Sequence, residues 1–176
     1  FYGMQIIPVN DEAGGKLFIS LHCNSMERKP SSQNGFEIYL LRPGKTEEAI
    51  EIAAKENAVI KFEENYQERY RELTEEEFII ITMAQSAYMK HSELYASIAS
   101  ETLSNRLHIK NGGVKQAGFF VLVGASMPNV LVELGYLSNR AEEEFLRSER
   151  GQQQLAIALF ESIQRYKEEY EQTLSR

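Results

Sequence analysis

A mixed α/β sheet flanked by helices, in a single domain, is the architecture expected of this 176-residue chain. Short apolar runs bounded by polar loops alternate with longer stretches of helical periodicity, the pattern of an α/β domain. With 43% hydrophobic residues the chain can bury a substantial core. The connection Gly124 to Pro128 joins two apolar runs and is too short to hold a crossover helix, so an antiparallel pair is expected within the sheet.

The elements follow in order. Asp11 to Lys16 reads as the loop entering a first strand, Leu17 to Asn24, where apolar residues surround Ser20 and His22 stands as the strand gives way to polar loop. Met26 to Asn34, rich in Lys, Arg, Pro and Ser, suits a mobile rim beside a cleft. Gly35 to Leu41 is a second strand, closed by Arg42-Pro43-Gly44-Lys45. Thr46 caps a helix running to about Ile60, with Glu47 and Glu48 in its first turn and Ile50, Ala53, Ala54 and Ala58 on one face. Thr74-Glu75-Glu76-Glu77 reads as a capping box for a long helix ending near Asn105, with Ile80, Ala84, Ala87, Tyr88, His91, Tyr95, Ile98 and Thr102 as its stripe. His91 is therefore expected to pack, and His108, just before the Asn111-Gly112-Gly113 turn, to lie on the surface.

Gly118 to Val123 reads as a third apolar strand, paired antiparallel with the strand that carries Glu133. Asn139, with Glu142 three residues on, makes a box-like start to the next helix. A final helix from Leu155 to Tyr170 is expected to cover the sheet through Ala156, Leu159, Phe160, Ile163, Tyr166 and Tyr170, with a polar tail from Lys167 to Arg176 that frays.

Two residues stand out chemically. Glu133 is a single carboxylate inside the apolar run Val130 to Leu137, where a strand that buries hydrophobes has no structural need for an acid. His22 does the same with an imidazole in the first strand. Each has a bland alternative, a strand-edge acid facing water or a hydrogen-bonded boundary histidine. Strand phase joins them: Phe18, Ser20 and His22 share one side of one strand, and Leu131, Glu133 and Gly135 one side of another. An acid and a histidine near the C-terminal ends of apolar strands is how an α/β sheet presents a reaction centre.

Composition excludes several classes. A net charge of −7 argues against nonspecific nucleic-acid binding. No run approaches 18 consecutive apolar residues, and no basic flank followed by an apolar core occurs in these residues, so neither a membrane span nor a signal peptide is read here. Cys23 is the single cysteine and cannot form an internal disulfide. Because adjacent strand residues face opposite sides, it is expected to pack rather than join His22 at a metal.

The segments SLHCNS, GFEIYLL, GVKQAGFFVL and PNVLVELGYLSN, in that order, resemble the zinc-dependent N-acetylmuramoyl-L-alanine amidases. The resemblance runs from about Gly15 to Tyr166 and is interrupted near Phe62 to Phe78. It implies a Zn2+ hydrolase that cuts the amide between N-acetylmuramic acid and the L-alanine of the peptidoglycan stem peptide. By motif, His22 is then a zinc ligand and Glu133 the catalytic acid/base. Zinc with three protein ligands keeps an open position and brings bound water towards a pKa of about 7. A nearby carboxylate can take that water's proton and deliver it to the leaving amine. Asn24, Lys115 and Gln116 flank the inferred site in sequence and are expected to touch substrate.

The family's other histidine and its glutamate ligand precede the SLHCNS strand, and no histidine lies in the residues before Leu17. The chain also starts with Phe, so an N-terminal portion is expected to be missing and the chain alone to be inactive. The segment Glu63 to Glu77 is dense in glutamate, with two arginines and two tyrosines. Its bland reading is a solvated insertion. The resemblance implies a lid over the active site, released by an activator protein and in some relatives touching the metal through a glutamate. The implied setting is the bacterial cell envelope, periplasmic or secreted, in wall remodelling or daughter-cell separation. The competing readings are a non-catalytic wall-binding module, an inactive remnant of the fold, and a different metallohydrolase. The last lacks a His-Glu-x-x-His helix or a cysteine cluster.

Overall fold

Apolar alternation and two crossovers build one mixed sheet. The computed structural model describes residues 14–42, 46–58, 79–80, 83 and 85–175. The elements used below are β1 (Phe18–Asn24), β2 (Phe36–Leu41), α1 (Glu47–Ala58), α2 (Ser86–Arg106), β3 (Asn111–Ala117), a 3₁₀ turn (Phe120–Leu122), β4 (Asn129–Tyr136), α3 (Arg140–Arg147) and α4 (Glu149–Leu174). The strands lie in the order β1-β4-β2-β3. β1 and β4 are parallel, β2 and β3 are parallel, and the central β2–β4 pair is antiparallel. The two parallel pairs need long connections, and those connections carry α1 and α2.

Each face of the sheet has its own core. Phe36, Ile38, Leu40, Val130 and Val132 point to one side, where Tyr95, Ala96, Ala99 and Leu103 of α2 and Leu155, Ala158, Leu159 and Tyr166 of α4 cover them. Phe18, Tyr39, Leu41, Ala117 and Leu131 point to the other, under Ala49, Ile52 and Ala53 of α1 and beside Phe119, Leu122 and Met127. β2 is buried along its whole length because it is central and covered on both sides.

Several expectations need correction. Gly118 to Val123 is not a strand: the strand comes earlier, at Asn111–Ala117, where a turn was expected. β3 is an edge strand with only Ala117 buried, so it lacks an apolar signature. The apolar residues after it are buried through the 3₁₀ turn, with Phe119 edge-on to Tyr39 at 5.0 Å. The side chain of Asn57 fixes that turn, donating to the Gly118 carbonyl at 2.8 Å and accepting from the Phe120 N–H at 2.8 Å. The antiparallel partner of β4 is accordingly β2 rather than the preceding strand.

The helical faces also differ in phase. Thr46 caps α1 as expected, accepting from the Ala49 N–H at 3.2 Å. The buried face of α1 is Ala49, Ile52 and Ala53, while Ile50, Ala54 and Ala58 are exposed. α4 buries Leu155, Ala158, Leu159, Ser162 and Tyr166, and leaves Ala156, Phe160 and Ile163 outward. It starts earlier than expected, behind a Ser148 cap, and continues through the polar tail to Leu174. α2 begins after Gln85, whose amide donates to the carbonyls of Leu122 and Ala125. The expected opening at Thr74, the acidic segment 63–77, Ala84 and Ile60 lie outside the described residues.

Asn139 caps α3 through the N–H groups of Ala141 and Glu142. Glu142 does not reach back to complete a box. Its carboxylate is buried and accepts from the N–H of Gly35 and of Tyr136, both at 2.7 Å, tying the start of β2 to the end of β4. Leaving two buried N–H groups without an acceptor costs about 1–3 kcal/mol each. Glu142→Ala should therefore lower the unfolding free energy by roughly 2–4 kcal/mol, against less than about 0.5 kcal/mol for the exposed neighbour Glu143→Ala, as read by urea denaturation.

Candidate metal centre and active site

The antiparallel and parallel ladders set three ionisable side chains in one row. His22 on β1 is the register partner of Glu133 on β4, and Glu133 is the partner of Glu37 on β2. Residues directly opposite share a face, so all three project to the side covered by α1. A fourth group arrives from above. Ala49, Ile52 and Ala53 form the buried stripe of α1, and the next position at helical spacing is Glu56. Its Oε2 lies 2.8 Å from His22 Nδ1, and the other ring nitrogen is 3.0 Å from Ser20 Oγ.

α1 spans the sheet from edge to edge. Glu48 in its first turn is 3.8 Å from Lys115 Nζ on β3, and Glu56 meets His22 on β1. Eight residues of helix cover about 12 Å, close to the roughly 14 Å across three strand spacings. Lys55 donates to the Ser25 carbonyl in the loop after β1 and holds the C-terminal half of the helix down.

Glu133 is the anomaly of the site. It is 0% exposed, and neither carboxylate oxygen has a hydrogen-bond partner. Burial pushes it up to about 8, helped by the negative charges of Glu56 and Glu37 and opposed by Lys55. One donor atom each from His22, Glu56 and Glu133 falls within 4.8 Å of the others, the cluster of this kind among the described residues. An imidazole nitrogen with carboxylate oxygens is a donor set suited to a divalent ion such as zinc. A cation there would also give the Glu133 carboxylate the partner it lacks.

The residues singled out from sequence are placed as follows. His22 and Glu133 stand opposite each other. Asn24, across from Tyr136, accepts from the Ser25 N–H at 2.7 Å, and its Nδ2 is buried without a partner. Lys115 is on the site's face and ion-paired to Glu37 at 2.6 Å. Gln116 pairs with Leu40, whose side chain belongs to the opposite core, so it is turned away from Glu133 and does not join the site. Cys23 is partly buried against that opposite core, and burial pushes its thiol up. His91 packs edge-on to Tyr170 at 4.8 Å between α2 and α4, and His108 is exposed.

Glu37, Glu56 and Tyr136 escaped the sequence reading. Glu37 carried the same signal as Glu133, an acid inside an apolar strand. Glu56 was recoverable once α1 was phased on Ala49, Ile52 and Ala53. Tyr136 was not: at odd spacing from Glu133 it should face the other side, but β4 carries an extra residue against β1 between His22 and Asn24. Gly135, at φ +150°, takes up that bulge. The Tyr136 hydroxyl thereby reaches Glu37 at 3.2 Å.

The raised Glu133 makes a testable difference in stability. In the metal-free protein its proton is retained on folding between about pH 4.5, its ordinary value, and about pH 8. The folded state binds more protons than the unfolded state there, so stability falls as pH rises through that window, by up to about 1.4 kcal/mol per pH unit. Glu133→Gln cannot ionise. In the presence of a chelator it should be more stable than the parent by roughly 4–5 kcal/mol at pH 8.5, with the difference shrinking towards pH 4.5. Urea melts at the two pH values check this, and a pH-independent difference would contradict it.

Known proteins resemble this chain over most of its length. The family model described as N-acetylmuramoyl-L-alanine amidase matches residues 5–165. The chain is 37% identical over 87 residues to the N-acetylmuramoyl-L-alanine amidase AmiC of Neisseria meningitidis serogroup B, covering 49% of this chain and 21% of that protein. It is 32% identical over 156 residues to the amidase AmiC of Escherichia coli O6:H1, covering 85% of this chain and 35% of that protein. It thus spans a minor part of these relatives' length. In fold it is similar to the amidase AmiC2 of Nostoc punctiforme, with a TM-score of 0.63, 24% identity, and coverage of 96% of this chain and 67% of that one. An amidase from Clostridium difficile 630 gives a TM-score of 0.59 at 16% identity, covering 92% and 63% of the two chains. The match of the family model over nearly all of the sequence means that the chain belongs to the N-acetylmuramoyl-L-alanine amidase family.

Proposed function

We propose that the protein hydrolyses the amide between N-acetylmuramic acid and L-alanine in peptidoglycan, with zinc at the His22 centre and Glu133 as acid/base. The observation that carries this reading is the buried, unpartnered Glu133 carboxylate beside an imidazole and a second carboxylate. His22 is the residue that would hold the metal in the open site, with Glu56 meeting it while α1 stays in place. Zinc would supply a polarised carbonyl and a water acidic enough to attack near neutral pH.

The chain's own residues do the rest. Glu133, with free oxygens and a raised affinity for protons, takes the proton of the attacking water and passes it to the leaving amine of L-alanine. Its dry surroundings strengthen each electrostatic contact made there. Ser20 at the other ring nitrogen fixes the orientation of His22. The setting that follows is the bacterial cell envelope, in wall remodelling or daughter-cell separation. No helix among the described residues is long and apolar enough to cross a membrane.

Access to the site is controlled in this reading. With Glu133 wholly covered and Glu56 on His22, a stem peptide reaches the acid only when α1 shifts. Residues 63–77 follow α1 in sequence, and an activator protein acting on them would act on Glu56 through that helix.

Release of stem peptides from purified peptidoglycan by the full-length, zinc-loaded protein tests the proposal. The parent should cut. Glu133→Gln should bind zinc and lose activity by at least about 100-fold, the usual worth of a general acid/base. Deletion of residues 63–74 should raise the basal rate. A parent that binds the wall without cutting it, even after the deletion, would make the protein a wall-binding module instead.

A further inference from the structure

Beside Glu133 stands a second buried carboxylate that the proposed reaction does not use. Glu37 is 5% exposed and, unlike its neighbour, fully partnered. It accepts from the Tyr39 hydroxyl at 2.6 Å, from Lys115 Nζ at 2.6 Å and from the Tyr136 hydroxyl at 3.2 Å. The backbone makes room for it at Gly112, where a Cβ would lie 2.6 Å from Glu37 Cγ. The bulge at Gly135 that turns Tyr136 onto this face serves the same carboxylate. Three strands therefore converge on Glu37, and through it on the ammonium of Lys115.

A lysine is a flexible stem with three donors. Here one donor is locked to a buried acid while the side chain stays 27% exposed. Its other carboxylate contact is of a different kind: Glu48 is 3.8 Å away and 49% exposed, a long surface pair that contributes little. Lys55, the cation among the described residues that acts on Glu133, is committed to the Ser25 carbonyl. A substrate anion approaching a face that bears Glu37, Glu48, Glu56 and Glu133 thus meets Lys115 as the cation held ready for it.

We infer that Lys115, positioned by Glu37, is a specificity residue that receives a free carboxylate of the peptide beyond the scissile amide, exchanging it for Glu48. This inference rests on the amidase reading and names the substrate feature that the site selects. Glu37 is a positioning residue that acts through the lysine.

The test compares two muropeptides in the full-length, zinc-loaded enzyme, identical except that the second stem residue carries a free carboxylate in one and a carboxamide in the other. The parent should favour the acid by roughly two- to fivefold in KM, the range of a partly exposed ion pair. Lys115→Met should abolish that preference with kcat held within about twofold, Lys115→Arg should keep it, and Glu37→Gln should weaken it. Glu48→Gln, a surface change that leaves folding intact, should lower KM for the acid alone. Equal handling of the two substrates by the parent, an equal loss on both in Lys115→Met, or an unchanged KM in Glu48→Gln would overturn the assignment while leaving the amidase reading in place. Cleavage of neither substrate by the parent would overturn both.

Discussion

A carboxylate buried in the middle of a sheet with nothing to bond to governs the rest of this structure. Taking a charged carboxylate out of water is costly unless it is paired, and Glu133 has neither a donor nor a cation in contact. The surroundings give it little relief beyond the charge of Lys55. Its strand neighbours Val130, Leu131 and Val132 are wholly buried, and the like charges of Glu37 and Glu56 discourage ionisation further. A group held in such a place is a proton carrier in waiting, or a partner for a cation, and it is stable in neither role by itself.

The remaining elements can be read as support for that arrangement. The parallel β1–β4 ladder sets His22 opposite Glu133, and the antiparallel β2–β4 ladder sets Glu37 on its other side. α1 contributes an apolar stripe to the core and a carboxylate to the candidate metal cluster from a single helical face. Glu142 secures the ends of β2 and β4 through two short hydrogen bonds, so the row across the sheet cannot slide. The two buried acids differ in environment: Glu37 accepts from three donors, while Glu133 has none.

Much of this was legible before the structure. The apolar runs around His22 and Glu133 located two strands and the face that they share, because strand phase depends only on period-two geometry. Thr46 and Asn139 marked helix starts, because capping is local chemistry. What failed was non-local. β3 is a polar edge strand whose pairing with β2 is set by the crossover, and the apolar residues after it are buried by a turn that Asn57 caps from α1. The outward Phe160 and Ile163 of α4 follow the same lesson, since a helix with apolar residues on more than one side does not declare which face is inward. Glu56 and Tyr136 enter the site only through a helix laid across the sheet and a bulge, and neither is a property of the local sequence.

The central claim, that the covered space between His22, Glu56 and Glu133 is a metal centre, is tested most directly by anomalous diffraction at the zinc edge from crystals of the metal-loaded protein. The account predicts one strong peak bounded by the His22 ring and the Glu56 carboxylate, with Glu133 facing it. A peak elsewhere, or none while Glu133 stays buried and unpartnered, would contradict it.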